Sequence, residues 1–532
     1  DLLNAGGVVC LFPEGAISRN GQLGPFKHGF ERAAKGADAV ILPFYLRGLW
    51  GSSFSRSSQW MKARPHAGLR RDVIVAFGPP LPIESNAAEV KAAVFELSID
   101  AWRAYVNTLP PVPLAWLQTA CHQPGQMAIG DSNNRAWLNR RQAAAVVIRL
   151  ARHIPANASI GLLLPTSRLG LLMNLAVLLR GGRIVNLEPR LPIDALRAAI
   201  ASAGIERLCC SRAYIERLAR DGHDLQALLA ETDTCFIDTA DSAPSWLTTL
   251  WARVLPASWL YRLFGRPVTL DATAAIVFEG GDRDNPRGIL LSQRNIIANI
   301  RQIVEVLDAR VDDVMLASLP LSQALGLTVT GLLPLVEGIP LVCHPDPNDA
   351  RGIARAVARN SVTLLVATPA CLRQCVEDDG IHPLMLESLR LVVSGRDKLD
   401  ADLLEAFRLK FGKRIYIGYG VAETTPVASV NIPDRIALDD WHIQTGDKAG
   451  SVGMPLPGSS IRIVDPETLE PLPVGENGLI LIGGEQVMQG YLNDAAASRE
   501  AILERDGKRW FRTGQSGHLD EDGFLTLVDR RA

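Results

Sequence analysis

A carboxylate, a guanidinium and several glycines lie close together near the start of the chain. Residues 12–15 read Phe-Pro-Glu-Gly, and Ser18 and Arg19 follow shortly after. A guanidinium binds phosphate through two parallel hydrogen bonds, and glycine lets a ligand approach the backbone closely. The segment therefore predicts one of two features: a site for a phosphate and its neighbouring hydroxyls, or a tight turn that carries one surface ion pair.

A second group of candidate residues lies in the later half of the chain. Residues 275–295 read as an apolar strand, a loop rich in glycine and charged residues, and the start of a helix. Backbone amides in such a loop can bind a phosphate group. Further motifs follow as Tyr-Gly-Val-Ala-Glu-Thr at 419–424, Gly-Ser-Val-Gly-Met-Pro at 450–455, Gly-Tyr at 490–491 and Arg-Thr-Gly at 512–514.

The first group resembles the signature of the glycerophospholipid acyltransferases. That signature includes a Phe-Pro-Glu-Gly block, a following Ser-Arg pair and a later apolar block that ends in proline, here residues 41–43. Enzymes of this family transfer an acyl chain to a hydroxyl of a glycerol-phosphate acceptor. The resemblance implies that the acceptor is bound by Glu14, Gly15, Ser18, Arg19 and Pro43.

In that family, a His-x-x-x-x-Asp pair upstream of this block provides the base that removes the proton of the acceptor hydroxyl. No such pair precedes Phe12. His344 with Asp349 and His442 with Asp447 show the same spacing, but both pairs lie far downstream in the other predicted domain. We therefore assign neither pair as the acyltransferase base, and the catalytic residues of acyl transfer are unknown from the sequence.

The second group, in its order and spacing, resembles the adenylate-forming superfamily over about residues 115–531. Tracts at 163–187 and 320–328 are most similar to acyl-carrier-protein synthetases fused to an acyltransferase, which re-acylate 2-acylglycerophosphoethanolamine. The resemblance implies ATP and Mg²⁺ as cofactors, and a fatty acid, a lysophospholipid and acyl carrier protein as partners. It implies a nucleotide site formed by Gly281, Arg287, Tyr419, Gly420, Glu423, Gln515 and Arg530, with Glu423 also linked to the metal.

The sequence departs from the superfamily pattern at the predicted phosphate loop. Glu279 and Asp282 stand in the region of the usual small hydroxyl residues, Arg287 replaces a Lys, and Gln515 replaces the Asp that binds the ribose. Two like unit charges ~4 Å apart cost on the order of 4 kcal/mol at an effective dielectric constant near 20. Two interpretations stay open: an ATP-dependent ligase, or a non-catalytic module that binds the acyl donor or carrier protein.

The elements that must position these residues follow from hydrophobic periodicity. Short apolar runs at 8–12, 40–46 and 73–77 alternate with loops and end in a predicted helix at 86–107. This pattern predicts an α/β unit, and the resemblance identifies residues 1–110 as the C-terminal part of an acyltransferase domain. The prolines at 110–113 predict a boundary, with a linker at 111–134.

Residues 135–532 alternate predicted strands and helices, which indicates parallel sheets covered by helices. The resemblance identifies this part as the large AMP-binding domain of an adenylate-forming enzyme, without its C-terminal lid and the catalytic Lys of that lid. The fold class is thus α/β throughout. The periodicity predicts helices at 136–153, 169–180 and 193–203 and strands at 160–164 and 184–187.

Composition excludes several classes of protein. The 532 residues carry 55 Lys and Arg against 57 Asp and Glu, and 47% are hydrophobic, so we expect neither wholesale disorder nor a nucleic-acid partner. Eight cysteines without a Cys-x-x-Cys pair indicate a reducing compartment. The chain begins at Asp1, and we expect it to be a fragment with little activity alone.

Two segments suggest a lipid surface as partner. Six basic residues and no acid occur between Arg47 and Arg71, which predicts either a patch for an anionic surface or a solvated loop. Residues 246–264 hold three of the ten Trp and two Arg, which predicts either membrane contact through Trp251 and Trp259 or helices packed on their own domain. The resemblance implies the cytoplasmic face of a bacterial inner membrane.

Overall fold

The computed structural model describes residues 2–63, 72–238, 243–282, 285–395, 399–436, 441 and 443–528, without the side chains of 135 and 280–285. In these residues, strands and helices alternate along most of the chain, and the predicted α/β fold class is confirmed. The predicted ribose or phosphate contact Arg530 and the residue His442 lie outside the described part.

The first part of the chain forms two small antiparallel sheets, residues 40–41 with 81–82 and residues 44–47 with 74–77, and the second of these packs against one long helix. That helix begins at Asn86, whose side chain accepts from the amide of Glu89 while the Glu89 carboxylate accepts from the amide of Asn86. The elements are α1 (Gly29–Ala34), β1 (Val40–Ile41), β2 (Phe44–Arg47), α2 (Gln59–Lys62), β3 (Ile74–Phe77), β4 (Leu81–Pro82) and α3 (Ala87–Val106).

The predicted strand at 8–12 is not formed. These residues have no regular secondary structure, and Val8 and Phe12 are 97% and 63% exposed. A strand needs a neighbour that accepts and donates its backbone hydrogen bonds, and no described strand lies beside this segment. Glu14 therefore follows an irregular segment rather than the end of a strand.

The predicted linker at 111–134 is also corrected by the structure. Pro111 and Pro113 lie at the start of a helix, where proline is tolerated because the first amides lack partners inside the helix. Val112 and Leu117 in this helix are completely buried. The helices of the second part are α4 (Val112–His122), α5 (Arg140–Leu150), α6 (Arg168–Leu179), α7 (Ile193–Ala203), α8 (Arg212–Arg220), α9 (Gln226–Ala230), α10 (Trp246–Val254), α11 (Ala257–Phe264), α12 (Gln293–Leu307), α13 (Leu333–Glu337), α14 (Ala350–Asn360), α15 (Pro369–Glu377), α16 (Ala401–Phe411) and α17 (Ala495–Ala501).

The described strands of the second part form three large sheets and one sheet of two short strands. The predicted helix at 136–153 is split, because residues 134–139 pair with the preceding strand before α5 begins. The strands are β5 (Met127–Asp131), β6 (Asn134–Asn139), β7 (Ser159–Leu163), β8 (Arg183–Asn186), β9 (Ile205–Cys210), β10 (Thr234–Phe236), β11 (Thr273–Asp282), β12 (Asn285–Ser292), β13 (Met315–Ala317), β14 (Leu341–Cys343), β15 (Leu364–Val366), β16 (Leu391–Ser394), β17 (Ile415–Tyr419), β18 (Ser429–Val430), β19 (Arg435–Ile436), β20 (Ile443–Gln444), β21 (Met454–Pro455), β22 (Ser459–Val464), β23 (Gly478–Gly484), β24 (Gly490–Tyr491), β25 (Ile502–Arg505), β26 (Lys508–Leu519) and β27 (Leu525–Val528).

Two mostly parallel sheets enclose the main core. Their strand orders are β10-β9-β7-β8-β11-β12-β24 and β21-β18-β17-β16-β15-β13-β14-β5-β6. Helix α6 contacts β8 of one sheet and β5 of the other, and each of its residues from Leu169 to Leu179 is buried. A helix that is apolar all round belongs between such layers. The third sheet, β22-β23-β26-β25 with β27 beside β26, is antiparallel.

Helix α3 belongs to the first part in sequence but packs on the third sheet. It contacts β22 and β23, and Trp102 is completely buried there. The Arg462 guanidinium binds the Glu96 carboxylate through two hydrogen bonds of 2.9 and 2.8 Å. The Lys91 ammonium donates to the backbone carbonyl of Asp522 at 2.7 Å. These contacts join the two parts of the chain through a buried interface.

Candidate nucleotide and acceptor sites

Tyr419 and Gln515, two of the predicted nucleotide ligands, are brought together. Tyr419 is the last residue of β17 and is buried, and its hydroxyl donates to the Gln515 side-chain oxygen at 2.5 Å. Burial raises the pKa of Tyr419 to about 12, so the phenol keeps its proton near neutrality. The backbone N–H of Gln515 donates to Thr513 Oγ1 at 3.1 Å, which holds the strand that carries Gln515 in place. The ring of Tyr419 and the side-chain amide of Gln515 thus lie in one site. A ring can stack on a nucleobase, and an amide can form hydrogen bonds with hydroxyls.

Gly420 makes a turn that no other residue fits. A Cβ atom at this position would lie 1.8 Å from the carbonyl oxygen of Pro426. The Thr424 hydroxyl lies 2.9 Å from the same carbonyl and holds the turn closed. The turn at Gly420 connects Tyr419 to Glu423, so these two predicted ligands lie at the two ends of one short loop.

Glu423 lies in a cluster with Tyr491 and Arg287. The Tyr491 hydroxyl donates to Glu423 Oε1 at 2.9 Å, and the Arg287 guanidinium lies over the Tyr491 ring, 4.8 Å from its centre. Burial raises the pKa of the Glu423 carboxyl, and the nearby negative charge of Glu279 adds to that rise, whereas Tyr491 and Arg287 oppose it. The structure thus brings the predicted residues Glu423 and Arg287 to one place.

The predicted phosphate loop is largely a hairpin. β11 continues through Gly281 and Asp282, which pair with Pro286 and Asn285 of β12, with a bulge after Phe278. The prediction of an irregular loop over this stretch is therefore wrong for its described residues, because cross-strand pairing extends almost to the tip. Helix α12 begins only at Gln293, after β12.

Glu279 points its carboxylate toward the amide of a neighbouring loop. Its Oε2 accepts from the backbone N–H of Ala324 at 3.0 Å. A carboxylate in the usual position of a hydroxyl thus has a donor of its own and lies close enough to Glu423 to raise the pKa of that residue. Glu279 and Glu423 thus place two carboxylates in the neighbourhood of Arg287.

The pair Glu279 and Glu423 can account for a Mg²⁺ site. In phosphate-binding sites Mg²⁺ is commonly held by one or two carboxylates together with phosphate oxygens, rather than by a full protein cage. The described residues contain no group of three or more His, Cys, Asp or Glu side chains that could hold a metal ion. The donor set fits a metal that arrives with a nucleotide.

The acceptor block at 14–19 is held by hydrogen bonds within its own loop. The Glu14 carboxylate accepts from the amide of Gly24 at 2.6 Å, and burial raises the pKa of Glu14. The Ser18 hydroxyl accepts from the amide of Gly21 at 3.1 Å and donates to the carbonyl of Gln22 at 2.9 Å. Ser18 therefore closes a turn.

Part of this block faces the second part of the chain. The Arg19 amide donates to Gln444 Oε1 at 2.7 Å, and Gln444 Nε2 donates to Asn20 Oδ1 at 2.7 Å. Gly15 has a φ of 63°, and a Cβ atom there would lie 2.9 Å from the Lys27 ammonium nitrogen. The loop conformation thus depends on a glycine and on contacts with β20.

Pro43 lies in the connection between β1 and β2. It is buried, and its carbonyl accepts from the amide of Gly78 at 2.9 Å. The predicted role of Pro43 as a wall of the acceptor site stays a prediction.

The basic segment 47–71 is in part an interface segment. Arg47 pairs with Glu305 at 3.2 Å, and its guanidinium lies 3.1 Å from the centre of the Tyr105 ring. The nearby Trp50 indole donates to the Glu305 carbonyl at 2.8 Å. Residues 64–71 lie outside the described residues. At Arg47, the positive charge therefore joins the two parts of the chain.

Sequence reasoning missed Tyr491 and the paired role of Glu279. The Gly490–Tyr491 motif is visible in the sequence, but its hydrogen bond to Glu423 spans 68 residues.

The pair His344 and Asp349, which we did not assign as a base, has a structural explanation: Asp349 caps α14, and His344 Nδ1 lies 2.9 Å from Ser132 Oγ.

Comparisons with known proteins find relatives of both parts of the chain. The family model described as AMP-binding enzyme matches residues 117–492, and a model described as acyltransferase matches residues 1–47. A feruloyl-CoA synthase of an Amycolatopsis species is 28% identical over 352 residues, covering 66% of this chain and 64% of the relative. The 4-coumarate–CoA ligase 3 of Oryza sativa subsp. japonica is 30% identical over 265 residues, covering 49% and 46%. The chain thus spans less than two thirds of the length of either relative.

The fold is also that of a solved enzyme. ATP-bound MatB from Rhodopseudomonas palustris superposes with a TM-score of 0.65 at 23% identity, over 79% of each chain. The family match covers the two enclosing sheets and the residues Arg287, Tyr419, Gly420, Glu423 and Tyr491. On this match, the chain belongs to the AMP-binding enzyme family.

Proposed function

We propose that the chain is part of a phospholipid-remodelling enzyme that activates a fatty acid with ATP and serves acyl transfer to a lysophospholipid. In the first reaction, an oxygen of the fatty-acid carboxylate forms a bond to the α-phosphorus of ATP, and the bond from that phosphorus to pyrophosphate breaks. The thiol of acyl carrier protein then attacks the acyl carbon of the adenylate, so a thioester forms while the bond to AMP breaks and the thiol proton is released. In the second reaction the lysophospholipid hydroxyl attacks this thioester, which forms the new ester and returns the free thiol. The observation that carries this proposal is the cluster of Tyr419 with Gln515 and of Glu423 with Tyr491 and Arg287.

Each side chain of the cluster has a role that its chemistry supports. Tyr419 offers a ring for the adenine base, and Gln515 offers an amide for the ribose hydroxyls. Arg287 offers a guanidinium for the phosphates. Mg²⁺, which would be held by Glu423 and Glu279 when it binds with the nucleotide, would neutralise phosphate charge.

The acyl-transfer half of the proposal rests on the first 47 residues, which match the acyltransferase family model. Glu14, Gly15, Ser18 and Arg19 belong to one loop. Their role in binding the acceptor comes from the sequence resemblance. No residue is assigned as the base of this reaction. The lysophospholipid acceptor and the acyl carrier protein come from the sequence resemblance.

A second candidate function follows from the two carboxylates. Glu279 and Glu423 are carboxylates that repel phosphate at positions where hydroxyl residues are usual. Burial raises the pKa of Glu423, and the charge of Glu279 adds to that rise. If this repulsion excludes ATP, the second part is a binding module that holds acyl donor or carrier protein for the acyltransferase. The two functions differ in whether the folded chain binds ATP.

Isothermal titration of the 532-residue chain with ATP, with and without Mg²⁺, separates the two functions. We expect binding that requires Mg²⁺ and that weakens about tenfold in Tyr419→Ala, because the ring and its bond to Gln515 are lost. Tyr416→Ala is the matched control, since residue 416 lies on the opposite face of the same strand. A folded chain that binds acyl carrier protein but no ATP would refute the ligase function and support the module.

A further inference from the structure

Helix α10 buries its small residues and exposes its large apolar residues, the reverse of the usual arrangement. Its small residues Thr248 and Ala252 are buried, and the helix packs on α5. Its large apolar residues instead face solvent at positions i, i+3, i+4 and i+7, which places them in one stripe. The exposed residues of the stripe are Leu247, Leu250, Trp251 and Val254, with Trp246 74% exposed beside them.

Helix α11 extends the same surface. It buries Leu260 and Tyr261, which face α4, and exposes Trp259 and Leu263 one turn apart. The rings of Trp251 and Phe264 lie 6.4 Å apart, so the outer faces of the two helices are neighbours. We call the seven exposed residues Trp246, Leu247, Leu250, Trp251, Val254, Trp259 and Leu263 the outward patch.

The charged residues of segment 243–270, which carries the outward patch, are all arginines. Arg253, Arg262 and Arg266 are exposed, and residues 243–270 contain no Asp or Glu. Arg149 of the supporting helix α5 donates to the carbonyl of Ala243 at the start of this segment. Exposed apolar patches of this size mark interaction sites in soluble proteins. The flanking arginines select an anionic partner.

We propose that the outward patch is the surface by which this protein lies on an anionic lipid bilayer. Tryptophan rings prefer the boundary between headgroups and acyl chains, and an interfacial helix places apolar residues in that boundary with arginines at the phosphates. Both helices are too short to cross a bilayer, and no helix in the described part of the chain is long and apolar enough to do so. Helices α10 and α11 would therefore lie along the surface of the membrane.

This inference goes beyond the proposed function and does not depend on ATP. The patch lies on α10 and α11, whereas the nucleotide cluster lies on β17, β24, β26 and the β11–β12 hairpin. Loss of lipid binding and loss of nucleotide binding can therefore be measured separately on the same variants. A variant of the patch with the melting temperature of the wild type is a variant that has kept its fold, whether or not the chain binds ATP.

Sedimentation with vesicles tests the proposal on the 532-residue chain. Vesicles of phosphatidylglycerol and phosphatidylcholine are compared with vesicles of phosphatidylcholine alone. We expect binding to the anionic vesicles that weakens with added salt, and quenching of tryptophan fluorescence by lipids brominated in the acyl chain. The triple variant Trp246→Gln, Val254→Gln and Trp259→Gln should bind about tenfold or more weakly, since these residues contribute most of the exposed surface.

Two further variants make the result specific. Arg253→Gln with Arg262→Gln should reduce the preference for anionic over neutral vesicles while quenching by brominated lipid persists at high lipid concentration. Trp441→Gln is the control, because Trp441 is 71% exposed outside the patch. Equal binding of the triple variant and the wild type would overturn the proposal, as would no vesicle binding by the wild type. A wild-type dimer that becomes a monomer in the triple variant would show instead that a second copy covers the patch.

Discussion

The hydrogen bond from Tyr491 to Glu423 offers a test of the nucleotide site with a single atom removed. Tyr491→Phe deletes the hydroxyl that lies 2.9 Å from Glu423 Oε1 but keeps the ring under Arg287. A hydrogen bond to a charged group contributes about 1.5–3 kcal/mol. Because both side chains are only half-buried, we expect the lower end, about 1.5 kcal/mol, or about tenfold in affinity for Mg-ATP.

The sign of the pH dependence makes this test stricter. The Tyr491 hydroxyl stabilises the ionised carboxylate, so its removal raises the pKa of Glu423 beyond the rise that burial already causes. A cation needs the ionised form, and the loss of affinity should therefore be larger at pH 6 than at pH 8. Calorimetric titration at both pH values measures the difference.

The control for this experiment is Tyr416→Phe, which removes a hydroxyl from strand β17 outside the cluster. The reasoning is refuted if Tyr491→Phe, with an unchanged melting temperature, binds Mg-ATP within about twofold of wild type at both pH values.

Two further predictions concern the turn at Gly420 and the buried interface. Gly420→Ala should lower the melting temperature and abolish nucleotide binding, because its Cβ would meet the Pro426 carbonyl at 1.8 Å; Gly125→Ala, where a Cβ meets nothing within 4 Å, should leave both unchanged. Burial lowers the pKa of Lys91 to about 8 from 10.5, so the unfolded chain binds more protons between these values. Relative to Lys91→Met, wild type should gain stability as the pH rises from about 8 to 10.5, measured by urea unfolding, and a parallel pH profile for the two proteins would contradict this linkage.

The local pattern of the sequence predicts the long elements well. The helix expected at 86–107 is α3 (Ala87–Val106), and the helix expected at 193–203 is α7 (Ile193–Ala203). Both succeed because capping residues and periodicity act within a few turns. The strand of residues 134–139 is missed because its partner β5, rather than its own pattern, decides its conformation.

The site residues show the same difference between local and long-range information. Tyr419, Gly420 and Glu423 lie in one short motif and are found together from the sequence. The role of Tyr491 and the close approach of Glu279 to Glu423 depend on how distant strands are arranged, which single-residue patterns do not specify. In the acceptor block, the same holds for the contact of Arg19 with Gln444, which joins residues 425 positions apart.

Helix α3 packs both on the sheet of β2 and β3 in the first part of the chain and on the third sheet of the second part. Its buried Trp102 fills the space over Gly458, where a Cβ would lie 2.1 Å from the indole, and its Glu96 is matched to Arg462. Consequently, neither part of this chain can be exchanged independently of the other. A chimera that takes its first 110 residues from a relative must also bring a large ring opposite Gly458 and an acid opposite Arg462, so the two halves are constrained to diverge together.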